Sequence, residues 1–192
     1  MKKQAGFSLV ELVIVIIVVG LLAVAALPRF LNVTDEAKKA QIEGVAGSYA
    51  TAVLSVRAQW EAFGRPETAG RNIVDYDGTD FYLTQDGDKD SPRIGYPTAT
   101  RKVAADGIES TDCVTLMKEL LQNPPKVTLN ESDAKSGQFQ FYGVKEETDD
   151  GRVCRYYQLA STGSNGNGTT DVTSGHFFTY QPMKGSVEVE IR

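Results

Sequence analysis

The chain opens apolar and then turns polar. Residues 7–27, from Phe7 to Leu27, are almost wholly apolar and long enough to cross a bilayer as a helix. Lys2 and Lys3 precede them, which places the N-terminus in the cytoplasm and the remainder outside. Beyond Pro28 the pattern changes. Ile42, Val45, Ala46, Tyr49, Val53, Val56, Trp60 and Phe63 recur at steps of three and four, the spacing of one helical face. Glu36, Lys39, Glu43, Arg57 and Glu61 fall on the opposite face, and Gly64-Arg65-Pro66 stops the helix. The pattern thus predicts one helix over 7–63, with a transmembrane first half and an amphipathic second half.

The rest of the chain, residues 64–192, reads as a globular head. It is loop-rich to about residue 106. Ser110-Thr111-Asp112 offers caps for a short helix near 111–122, with Val114, Met117, Leu120 and Leu121 inward and Asn123-Pro124-Pro125 as its end. Strands are expected around Phe139 and Phe141, along Arg152–Ala160, around Phe178 and Tyr180, and through Val187, Val189 and Ile191. The last two make a hairpin across Pro182-Met183-Lys184-Gly185. An antiparallel meander packed on the amphipathic half of the helix gives an α+β fold.

Three functional readings fit the apolar segment. It is a cleaved secretory signal with Ala23-Val24-Ala25 as its site, a plain membrane anchor, or a precursor cut before the segment. Glu11 separates them. A carboxylate inside an apolar run costs a few kcal/mol unless it is paired, and neither a signal nor an anchor gains from it. A cut between Gly6 and Phe7 exposes a new amine four residues before Glu11, at a helix start that already favours an anion. The carboxylate then pairs with its own amine or with that of a neighbouring copy.

The run Lys2-Lys3-Gln4-Ala5-Gly6-Phe7-Ser8-Leu9-Val10-Glu11 resembles the class III signal of type IV prepilins and type II secretion pseudopilins. The resemblance implies a leader of residues 1–6, cut after Gly6 by prepilin peptidase, with methylation of the new N-terminal Phe7. It implies an assembly role for Glu11 and a helix-kinking role for Pro28, with the stretch from Gly20 to Pro28 extending during assembly. Gly95-Tyr96-Pro97, Asp106-Gly107-Ile108 and Phe178-Thr179-Tyr180 through Ile191 resemble the mannose-sensitive haemagglutinin type of major pilin, a type IVa branch. The function implied is that of a major pilin polymerised into an extracellular filament for surface attachment. The precursor would sit in the inner membrane, with the motor ATPase, platform protein and secretin as further partners. A type II secretion pseudopilin or a minor pilin is the alternative.

Composition narrows the rest. A net charge of −5, with no long basic stripe, does not favour nucleic acid. Cys113 and Cys154 are the two cysteines. In a cytosolic chain they read as unrelated thiols, whereas export favours a disulfide between them, stabilising by about 4 kcal/mol on the chain-entropy model. Asp86, Asp88 and Asp90 begin a calcium-loop pattern, but Ser91 and Pro97 stand where an EF-hand needs Gly and Glu. A solvated acidic turn is the plainer reading, calcium the lesser one, and no other cofactor is expected. Ser161–Thr170 is a low-complexity loop; the glycosylation patterns at Asn130-Glu131-Ser132 and Asn167-Gly168-Thr169 are weak signals. One histidine, His176, and the lack of a nucleophile elbow or phosphate-cradling loop argue against an enzyme.

Overall fold

The computed structural model describes residues 7–88, 93–149, 151–163 and 170–192. The chain divides into two compact units, Met1–Lys38 and Lys39–Arg192, taken separately below. Helix α1 spans Leu9–Ala62. In the first unit its apolar side chains from Leu9 to Leu27 are uncovered.

In the second unit α1 supplies one wall of the core. Ile42, Ala46, Tyr49, Val53, Val56 and Trp60 are buried, as the three-and-four spacing predicts. Phe63 departs from that expectation and is 65% exposed, because the helix has already ended. Gly64 and Arg65 take φ of 78° and 60°, and Arg65 N–H reaches back to the Trp60 carbonyl at 2.9 Å. That left-handed turn satisfies the last carbonyls and throws the chain away from the core. Arg57, expected on the solvent face, is half-buried with its guanidinium over the Tyr96 ring.

The segment expected to be loop-rich holds a sheet instead. Strands β1 (Glu67–Thr68), β2 (Arg71–Tyr76), β3 (Thr79–Leu83) and β4 (Pro97–Ala99) lie side by side in that order, each pair antiparallel. Asp77-Gly78 closes the β2–β3 hairpin with both residues at positive φ, 52° and 83°. This is the twist that a two-residue hairpin needs. The strands escaped the period-2 test because polar residues occupy core positions. Arg71 and Asn72 are buried, and Asn72 Nδ2 donates to the Thr84 carbonyl at 2.8 Å.

Helix α2 (Ser110–Leu120) is capped one residue earlier than expected: Glu109 and Asp112 form a reciprocal capping box. Ser110 is turned elsewhere, its Oγ accepting the Lys145 N–H at 3.0 Å. Beyond it lie β5 (Val127–Thr128), the short helix α3 (Glu131–Ala134), β6 (Phe141–Thr148), β7 (Gly151–Gln158), β8 (Phe177–Gln181) and β9 (Ser186–Glu190). Strands β5 to β9 form a second sheet in sequence order, antiparallel except for the β5–β6 pair, which is parallel. The final hairpin matches its expectation, pairing Gln181 with Ser186. Strand β6 starts later than expected, at Phe141, and runs on through Lys145, Glu146 and Glu147, which hide the alternation. The whole is an α+β, pilin-like architecture: a long helix packed on antiparallel sheets.

Tyr49 sits at the centre of that packing. Its ring lies 5.5 Å from Tyr156, 5.6 Å from Phe178 and 5.3 Å from Tyr180, and all four side chains are fully buried. Tilted aromatic contacts of this kind add to the large area that each ring removes from water.

Candidate assembly site

Glu11 is the third residue of α1, and the structure shows what holds it. The Ser8 backbone N–H donates to Glu11 Oε2 at 3.0 Å, while the Val10 N–H donates to Ser8 Oγ at 3.3 Å. Ser8 and Glu11 thus cap the helix start together, each side chain accepting from a backbone N–H that the helix leaves without a partner. The positive end of the helix dipole favours the carboxylate at the same place. Sequence reasoning missed this contact, although Ser8-Leu9-Val10-Glu11 spells the Ser-x-x-Glu signature directly ahead of an apolar run. Glu11 Oε1 has no protein hydrogen bond among the described residues.

Beyond this carboxylate the described helix surface is apolar as far as Leu27. Phe7 is 88% exposed, and the side chains from Leu9 to Leu27 lie open in a helix apolar and long enough to cross a membrane. Gly20 has no neighbour within 4 Å of where a Cβ would stand, so it leaves a gap in that apolar surface. Pro28 lies within α1, and its side chain falls outside the described residues, as does all of Gly6.

Comparison with known proteins bears on this same segment. Residues 1–27 match the family described as the prokaryotic N-terminal methylation motif. In its N-terminal part the chain is similar to type IV pilins. Over 72 residues it is 38% identical to the type IV narrow pilus major component PilA5 of Thermus thermophilus, a match covering 34% of this chain and 62% of the relative. Over 61 residues it is 49% identical to the fimbrial protein EcpB of Eikenella corrodens, covering 30% of this chain and 36% of the relative. The pilin-like chain therefore spans less than two thirds of either relative's length. No solved structure matches it.

In the head of this pilin-like chain, Cys113 on α2 and Cys154 on β7 form a disulfide with Cα atoms 5.3 Å apart, and both residues are fully buried. The acidic turn is arranged otherwise than a metal loop. The Asp88 carboxylate takes the Arg71 guanidinium and also accepts the Gln85 N–H at 3.0 Å. The Arg71 and Asp88 side chains are only 9% and 4% exposed. Asp86 lies in the same turn, and Asp90 falls outside the described residues. Among the described residues no group of three His, Cys, Asp or Glu is placed to hold a metal ion. His176 is buried ahead of β8, its Nδ1 accepting the Arg192 N–H at 3.0 Å. Asn130 caps α3 through Oδ1, which accepts the Ser132 N–H at 3.0 Å. The second glycosylation pattern, Asn167-Gly168-Thr169, lies outside the described residues.

Proposed function

We propose that this chain is a major structural subunit of a type IV pilus. Prepilin peptidase cuts between Gly6 and Phe7, freeing residues 7–63 as the helix and 64–192 as the head, and Phe7 is methylated. Before assembly the precursor rests in the inner membrane through residues 7–27, with the head outside. Subunits then stack with their apolar helices together, and Glu11 of one copy pairs with the Phe7 amine of the next. Gly20 and Pro28 let the helix adjust as it leaves lipid. The partners are other copies of the chain, the peptidase, and the assembly ATPase, platform protein and secretin. The role is structural rather than catalytic, and needs no cofactor.

One observation carries this reading: an ionisable carboxylate held at the start of an uncovered apolar helix, inside a methylation motif. Such a charge is costly in lipid and is kept where it has work to do. The Thermus thermophilus relative is the major component of a narrow pilus, which favours the major role over the minor one. The resemblance of residues 95–97 and 106–108 to the mannose-sensitive haemagglutinin type points to surface attachment.

The alternative is a type II secretion pseudopilin, which calcium binding at Asp86, Asp88 and Asp90 would favour. Electron microscopy of sheared cell-surface material separates the two. Abundant long filaments made mostly of this chain support the proposal, and their absence beside an intact secretion defect overturns it. Mass spectrometry of the mature chain must find an N-terminal methyl-Phe7. A start at Ala26 would instead mark an ordinary secretory signal.

A further inference from the structure

Just past the apolar span stands a cation that the chain itself does not neutralise. Arg29 is exposed, and among the described residues no carboxylate or carbonyl meets its guanidinium. It is the only basic residue between Lys3 and Lys38. The nearest carboxylate in the sequence, Asp35, is taken by Lys38 at 3.3 Å. We propose that Arg29, with Phe30 beside it, docks on the phosphate headgroups of the outer leaflet and fixes how deep the precursor sits in the membrane. This rests on the proposed residence of residues 7–27 in lipid and deepens it, by naming the lipid group held and the residues that hold it.

Length and charge carry the argument. The 19 residues Leu9–Leu27 run for about 28 Å as a helix, close to the roughly 30 Å of a bilayer's hydrocarbon core. Arg29 follows about 3 Å further on, at the level of the lipid phosphates. The same ruler puts Phe7, about 33 Å back, at the cytoplasmic face where the proposed cut is made. A guanidinium presents a planar fork of donors that matches phosphate oxygens two at a time. Phe30 and Val33 are 66% and 67% exposed, and with Arg29 they occupy about 100° of the helix circumference. They give the cation an apolar base of the kind that the headgroup boundary accepts. Orientation is no use for this charge, because a cation outside works against the sense that Lys2 and Lys3 set.

Contact and depth can be read separately. Full-length protein is placed in vesicles of phosphatidylethanolamine and phosphatidylglycerol, in buffer free of phosphate, so that lipid is the only source of phosphorus. With every arginine isotopically labelled at Cζ, solid-state NMR should show phosphorus dephasing of that carbon in the wild type. The dephasing should fall in Arg29→Lys, which removes one labelled carbon and keeps the charge. Both native cysteines are locked in the disulfide, so a spin label reports on a single introduced one. On Ala26→Cys the label should sink by about 5 Å, one helical turn, when Arg29→Leu is added. It should hold its depth with Arg29→Lys, whose long side chain still reaches the interface.

Equal dephasing in the wild type and Arg29→Lys overturns the phosphate contact. A label unmoved by Arg29→Leu, or sinking as far with Arg29→Lys, overturns the role in depth. A second label, on Ile17→Cys, tests the larger reading and should lie at the bilayer centre. If it lies in water, the residence of residues 7–27 in lipid fails and the anchor fails with it. If it lies at the centre while an Arg29 result is negative, only the anchor falls.

Discussion

The Tyr49 hydroxyl lies 3.1 Å from that of Tyr156, and Tyr156 in turn donates to the Cys113 carbonyl at 2.7 Å. With the Tyr156 proton committed to Cys113, Tyr49 is the donor in the first bond. Helix α1, strand β7 and helix α2 therefore meet in one buried relay, beside the disulfide. The two phenols are not equivalent within it. Tyr49→Phe removes one donor and leaves Tyr156 still bonded to Cys113. Tyr156→Phe strands the Tyr49 hydroxyl in a dry core, where an unsatisfied group costs about 1–3 kcal/mol, and also removes the side-chain bond to the Cys113 carbonyl. Guanidinium denaturation of the full chain in detergent should show Tyr156→Phe as clearly the more destabilising change.

Alkaline pH should loosen the same core. Tyr49, Tyr156 and Tyr180 have hydroxyls pushed above their ordinary range, first by burial away from water and, for Tyr49 and Tyr180, also by the nearby Tyr156. The folded chain holds protons that the unfolded chain gives up above about pH 10. Their contribution is whole below that pH and fades as pH climbs towards the folded values. Denaturation midpoints should be flat from about pH 8 to about pH 9.5 and then fall, with the fall smaller in Tyr180→Phe.

The disulfide closes a loop of 41 residues in sequence separation. Removing it by Cys113→Ala with Cys154→Ala should cost about 2–5 kcal/mol in the same denaturation assay. Because both sulfurs are fully buried, a mild reductant should leave the folded protein oxidised until denaturant is added.

Arg71 supplies the cation for the acidic turn. Asp88→Asn should destabilise the head by about 3–5 kcal/mol, the usual effect of stranding a buried charge. Replacing both members by apolar residues of similar size should cost much less. Calcium added to the wild-type chain is expected to leave the melting temperature unchanged, as read by calorimetry, since Asp88 already bonds to Arg71 and Gln85.

Gly185 takes a φ of 66°, and a Cβ there would stand 2.1 Å from the Tyr96 ring. Gly185→Ala combines backbone strain with overpacking and should cost about 2–4 kcal/mol. Tyr96 is held by Arg57 and has no room to yield. Gly95 is similarly pressed, with Trp60 at 2.6 Å from its would-be Cβ. The Gly95-Tyr96-Pro97 run that suggested a subgroup thus also has a packing reason.

Much of the architecture was legible before any coordinate. The helix, its amphipathic half, its stop at Gly64, the final hairpin and the carboxylate at Glu11 all follow from local pattern or from charge set against apolar surroundings. The Ser8 contact was legible too, as a capping signature, but attention to the charge hid the cap. The β1–β4 sheet was harder. Its Asp77-Gly78 turn was in plain view, yet Arg71, Asn72 and Asp75 made the strands look like loop.

What residue order alone determined, then, is whatever depends on neighbours three or four positions away: helix faces, caps, turns and the apolar run. Only the tertiary structure decided which buried polar groups find partners. Arg71 with Asp88, Tyr49 with Tyr156, and Asn72 with the Thr84 carbonyl are separated in the chain and joined in the core. A buried polar side chain is tolerable only when such a distant partner arrives, and no local periodicity encodes that arrival.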